Sequence, residues 1–100
     1  MKDKLKTIIN HYGINAQQRK FAEEVFELEE IIVKTEQIKI LNKAFSNDEI
    51  AEEVADCMVM LNQFKEYYNI TDEQINNNIE YKVNRQLERI KKEGEKDENN

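Results

Sequence analysis

Apolar positions recur at helical spacing along most of the chain, and four segments can be read from them. The first runs from about Asp3 to His11 and is closed by Gly13, which the pattern predicts as a left-handed residue after a helix C-terminus. The second starts after Asn15 and continues to about Asn42, with Phe21, Val25, Leu28 and Ile32 at steps of four, three and four. The third follows Ser46-Asn47-Asp48-Glu49, where Ser46 and Glu49 have the spacing of a capping box, and runs to about Tyr68. The fourth opens at Thr71, with Gln74 as its capping partner, and carries Ile75, Ile79, Val83, Leu87 and Ile90 on one side. Beyond Ile90 the run KKEGEKDENN has no apolar residue, which predicts a single all-α domain over 1–90 and a disordered charged tail over 91–100.

Two helices depart from a simple amphipathic pattern. In the second, Glu24 lies four residues before Leu28 and seven before Ile31, inside the apolar stripe, and Glu27 borders it. Glu23 and Glu30 point away. Ala22, Phe26 and Val33 form another apolar strip on the other side, which reads as oligomer contact, although a closed four-helix core could also take part of it. In the third helix, CMVMLNQF from Cys57 to Phe64 is uncharged and apolar nearly all round, the mark of a helix surrounded by protein. Asp56 stands at the start of that run, with Glu53 one turn behind it.

Composition narrows the picture. One hundred residues with no proline, two glycines and many Glu, Lys, Ile, Leu and Gln make one small helical domain, with a core that burial in an oligomer would help. The net charge of −6 argues against a general nucleic-acid binder, since phosphate backbones are held by basic surfaces. Cys57 is the lone cysteine, and its neighbours Val54, Met58 and Leu61 predict a packed thiol in a reducing compartment. The N-terminus lacks the apolar run of a signal peptide, and no window approaches membrane-spanning length, so the expected location is cytoplasmic.

A carboxylate withdrawn from water is costly unless it finds a partner. Glu24 and Glu27 are three residues apart, as are Glu53 and Asp56, so each pair leaves one face of its helix. If the two helices pack antiparallel, four carboxylates converge and repel one another until a divalent cation neutralises them. Oxygen ligands without histidine or thiolate suit Mg2+, with Mn2+ as a substitute. The competing reading is a solvated acidic face, since 21 acids in 100 residues produce E-x-x-E by chance. A di-iron carboxylate bundle is excluded: it needs Glu-x-x-His on two helices, and His11 is the only histidine. On the fourth helix Asn78, Lys82, Arg85 and Arg89 make one polar stripe, which can hold polyphosphate oxygens or pair with acids on a neighbouring helix. Phe21, Tyr67, Tyr68 and Tyr81 could stack on a base, but packing is the favoured reading.

Gln17-x-x-Lys20-x-x-Glu23-Glu24-x-x-Glu27-Leu28, then Glu52-Glu53-x-x-Asp56, then Lys82-x-x-Arg85 resembles the MazG-like, all-α nucleoside triphosphate pyrophosphohydrolases. The likeness covers about Asn15 to Arg89 and rests on E-x-x-E followed by E-x-x-D after 25 residues. It implies a four-helix-bundle-like fold assembled as a homodimer or homotetramer. The implied reaction is Mg2+-dependent cleavage of a nucleoside triphosphate between its α- and β-phosphates, giving monophosphate and pyrophosphate. Glu24, Glu27, Glu53 and Asp56 would then be metal ligands, one of them a base through water. Lys82 and Arg85 would contact phosphates, with Asn78 and Arg89 beside them, and Gln17 would lie at the rim of the base pocket. The alternative is a non-catalytic helical interaction or regulatory module that keeps the fold.

Overall fold

The computed structural model describes residues 1–98. Among them every regular element is an α-helix: α1 (Lys2–Tyr12), α2 (Ile14–Ile40), α3 (Asp48–Tyr67) and α4 (Asp72–Glu98). The chain divides into two compact units, Met1–Asn69 with α1 to α3 and Ile70–Asn100 with α4. No helix among the described residues is long and apolar enough to cross a membrane.

Local chemistry sets the helix ends. Gly13 closes α1, its N–H donating to Ile9 O at 2.8 Å, and opens α2, its carbonyl accepting from the Gln17 N–H at 3.1 Å. Because one residue does both, it is not in the left-handed helical well predicted for it: φ is 87° and ψ is 156°, a region open essentially to glycine alone. α2 ends in a Schellman motif, with Lys43 N–H donating to Ile38 O at 3.1 Å and Asn42 N–H to Lys39 O at 3.0 Å, and Asn42 takes the positive φ of 56°. Ser46 does not form the capping box with Glu49. Its Oγ instead accepts from the Asp48 N–H at 3.2 Å, and Asn47 is the N-cap residue of α3. Thr71 and Gln74 do form the reciprocal box at α4, with Gln74 N–H donating to Thr71 Oγ1 at 3.1 Å and Thr71 N–H to Gln74 Oε1 at 2.9 Å.

Within the first unit α3 packs against both α1 and α2. α2 and α3 run antiparallel: Gln17 meets Gln63, the Phe21 ring stands edge-on to Phe64 at 5.4 Å, and Glu27 meets Glu53. The seam on α2 is not the predicted one. Gln17, Phe21, Glu24, Leu28, Ile31, Thr35 and Ile38 are buried or half-buried at alternating steps of four and three, whereas Val25 and Ile32 are 41% and 44% exposed. A seam that stays against one partner helix needs a repeat near 3.5 residues. Val25 and Ile32 each follow a seam residue by one position, about 100° around the helix. The buried apolar side chains among the described residues are few: Leu5 and Ile9 from α1, Cys57 and Met60 from α3.

The apolar run of α3 is not enclosed on all sides. Cys57, Met60 and Gln63 are buried, while Met58, Val59 and Leu61 are about half exposed. In the second unit α4 keeps Ile75 half-buried and leaves Ile79, Val83, Leu87 and Ile90 exposed. It runs on to Glu98, past the Ile90 at which the sequence pattern ends the ordered chain. Lys and Glu are good helix formers, no proline interrupts them, and Glu88 with Lys92 has the favourable i, i+4 order. Residues 99–100 of the expected tail lie outside the described residues.

Candidate metal centre

The antiparallel register brings three of the four predicted acids together. Glu24 and Glu27 leave α2 one turn apart, Glu53 leaves α3 opposite them, and one carboxylate oxygen from each lies within 4.8 Å of the others. Glu24 is buried at 7% exposure, Glu53 is half-buried and Glu27 is exposed, so the group is sunk at one end and open at the other. Asp56 stands apart from this trio and is exposed on α3, one turn past Glu53. Its charge is still felt there. The Glu53 carboxyl is held above its ordinary range, first by burial and then by the negative charges of Glu27, Asp56, Glu24 and Glu52.

Partners are available for only part of this buried acid. Lys20, one turn before Glu24, places Nζ 3.1 Å from Glu24 Oε1 and 3.8 Å from Glu23 Oε2. The hydrogen bond and the charge of Glu24 raise the Lys20 pKa. Glu24 Oε2 and Glu53 Oε2 are buried with no hydrogen-bond partner. An ionised carboxylate oxygen in that position lacks a protein donor in place of the water it loses on burial, a need that a cation would meet. Cys57, buried beside the acids, has its thiol pKa raised by burial and then by the charges of Glu24, Asp56, Glu53 and Glu27, which keeps it a neutral packed thiol.

The donor set fits a hard divalent cation. Every converging donor is a carboxylate oxygen, two of the three residues carry a buried oxygen with no partner, and the spacing lets one ion touch all three residues. A groove of about 240 Å3 opens beside two of the three acids, lined by Glu27, Glu30, Ile31, Lys34 and Glu53. Glu30, predicted to point away, therefore borders the opening. Lys20 and Lys34 border the site although neither is among the metal, phosphate or base contacts that the sequence predicts. The i, i+4 step from Lys20 to Glu24 was a legible signal for the first, whereas the second follows only from the rotation of α2.

Gln17 is buried beside the same seam and donates from Nε2 to Gln63 Oε1 at 2.8 Å, while Gln63 Nε2 donates to Met60 Sδ at 3.7 Å. It also lines a second groove of about 500 Å3 with Tyr12, Ala16, Arg19, Lys20, Glu23 and Met60. The basic stripe is exposed on α4: Asn78 Nδ2 donates to Gln74 O at 2.8 Å, Arg85 lies 5.7 Å from the Tyr81 ring centroid, and Lys82 and Arg89 face solvent. Among the aromatics Phe21 packs, as expected, but Tyr67, Tyr68 and Tyr81 are exposed. No family model, no curated protein and no solved structure matches this chain.

Proposed function

We propose that the chain is a Mg2+-dependent nucleoside triphosphate pyrophosphohydrolase of the MazG-like kind, cleaving the α–β phosphoanhydride to monophosphate and pyrophosphate in nucleotide-pool housekeeping. The supporting observation is the meeting of Glu24, Glu27 and Glu53 with two buried oxygens that have no partner. Glu24, Glu27 and Glu53 would hold the cation, with Mn2+ as a substitute for Mg2+, and Asp56, one turn past Glu53 and outside the trio, is proposed as a fourth ligand on the family resemblance. A divalent cation there supplies charge neutralisation and polarisation of a phosphoryl oxygen. Lys20 holds Glu24 Oε1, and so fixes which Glu24 oxygen remains for the ion. Lys82, Arg85, Asn78 and Arg89 are proposed as phosphate contacts, and Gln17 as a base contact, on their chemistry and on the family resemblance. A four-helix-bundle-like assembly of two or four copies, cytoplasmic, belongs to the same reading.

The half-exposed apolar side chains of α2 and α3 favour a second reading, a helical module that binds a protein partner without turnover. A product assay separates the two. The protein is incubated with Mg2+ and a panel of ribo- and deoxyribonucleoside triphosphates, and monophosphate plus pyrophosphate is resolved from diphosphate plus phosphate. The expected result is monophosphate and pyrophosphate, reduced about 100-fold or more in Glu24→Gln, because metal-based charge stabilisation is worth several kcal/mol. Turnover that survives undiminished in that variant overturns the assignment of the site, and no turnover across the panel favours the binding module.

A further inference from the structure

The opening beside Glu27 and Glu53 is lined by those two acids, Glu30, Ile31 and a single cation, Lys34. Lys34 follows Glu27 by seven residues, two turns and about 10.5 Å along α2. Lys34 and Glu27 line the same groove, and helical side chains lean toward the N-terminus of their helix, the direction in which Glu27 lies from Lys34. The other lysine beside the acids, Lys20, is already committed to Glu24. Lys34 is exposed and forms no ion pair among the described residues, although Glu30 lies one turn before it.

Charge balance gives this lone cation a task. A divalent ion offsets only part of a site made of three carboxylates, and a polyphosphate bound to that ion brings several further negative charges. The next phosphate along must meet a positive group outside the reach of the ion, at the edge of the opening. We propose that Lys34 is that group: its ammonium binds an oxygen of a polyphosphate ester whose neighbouring phosphate is held through the cation at Glu24, Glu27 and Glu53. The assignment rests on the cation reading of that cluster. It adds a phosphate-binding residue on α2 itself, in the same compact unit as the acids.

Titration calorimetry with inorganic tripolyphosphate as probe, with and without Mg2+, tests it without relying on turnover. Wild type is expected to bind the probe only when Mg2+ is present. Lys34→Ala should weaken that binding about tenfold or more, the scale of one charge-assisted hydrogen bond. Lys34→Arg should restore most of it, and binding of Mg2+ alone should not weaken. Lys39→Ala, which removes the same charge further along α2 from a lysine paired with Glu36, should bind like wild type. Equal affinity in wild type and Lys34→Ala, with binding abolished in Glu24→Gln, overturns the role of Lys34 and leaves the cation site standing. Equal losses in the Lys34 and Lys39 variants overturn it too, as a net-charge effect. If wild type binds neither Mg2+ nor the probe with Mg2+, the cation site and Lys34 fall together.

Discussion

On α2 the buried residues are Gln17, Glu24 and Thr35, all polar, while the side turned away carries Phe26 at 61% exposure and Val33 at 52%. An isolated soluble helix would be arranged the other way. Of the three buried polar residues, two are satisfied within the chain: Gln17 donates to Gln63, and the Thr35 hydroxyl donates to Ile31 O at 2.7 Å. Glu24 alone is half satisfied, Oε1 by Lys20 and Oε2 by nothing. Burial alone therefore does not set Glu24 apart from Gln17 and Thr35; the unanswered oxygen does. The outer side carries the complementary deficit, apolar area with no cover.

Three substitutions test the two sides against each other. The largest effect is expected on the outer side. If a second copy covers it, Phe26→Glu puts a charge into that contact, and light scattering should report the mass of a single chain with helical circular dichroism unchanged. An unchanged mass would show that this strip is not the contact.

A middle-sized effect is expected on the inner side. Gln63→Leu leaves the buried Gln17 amide without its acceptor and should lower unfolding stability by about 1–3 kcal/mol in urea titration. Replacing both glutamines with leucine should recover much of that loss, since no polar group is then stranded. A double variant as unstable as the single one would mean that the pair is needed for shape rather than for its hydrogen bond.

The smallest effect concerns pH. Burial and neighbouring acids raise the Glu53 pKa in the folded chain above its ordinary value of 4.5. Between the unfolded and folded values the folded chain binds more protons, so stability falls as pH rises through that window. The contribution is complete below about 4.5 and lost above the folded value. In chelator, Glu53→Gln should flatten this acid-side slope and unfold at a higher midpoint than wild type at neutral pH. In Mg2+ the order should reverse, because a cation that binds only the folded cluster stabilises wild type by mass action. A slope unchanged by Glu53→Gln would place the strain on another acid.

Much of this was legible along the chain. The positions of the helices, the Thr71 and Gln74 box, the packed Cys57 and the antiparallel packing of α2 on α3 follow from periodicity, capping residues and a short connection, all of them local signals. The seam on α2 was misjudged by one position at Val25 and Ile32, since both choices satisfy helical spacing and only the partner helix distinguishes them. Gly13 was legible as a break between helices, but its ψ of 156° depends on α2 starting at the very next residue.

By itself the sequence determined four helices, a net charge of −6, and two carboxylate pairs each leaving one helix face, because these depend on composition and on spacing within one helix. Only the tertiary structure decided which of those acids meet. The rotation of α2 and α3 about their axes turned Glu24, Glu27 and Glu53 into one group, left two oxygens unpaired, and set Asp56 outside the trio. The same rotation brought Lys34 to the opening. Helix rotation is fixed by side chains packing across helices, and spacing within a single helix carries no term for it.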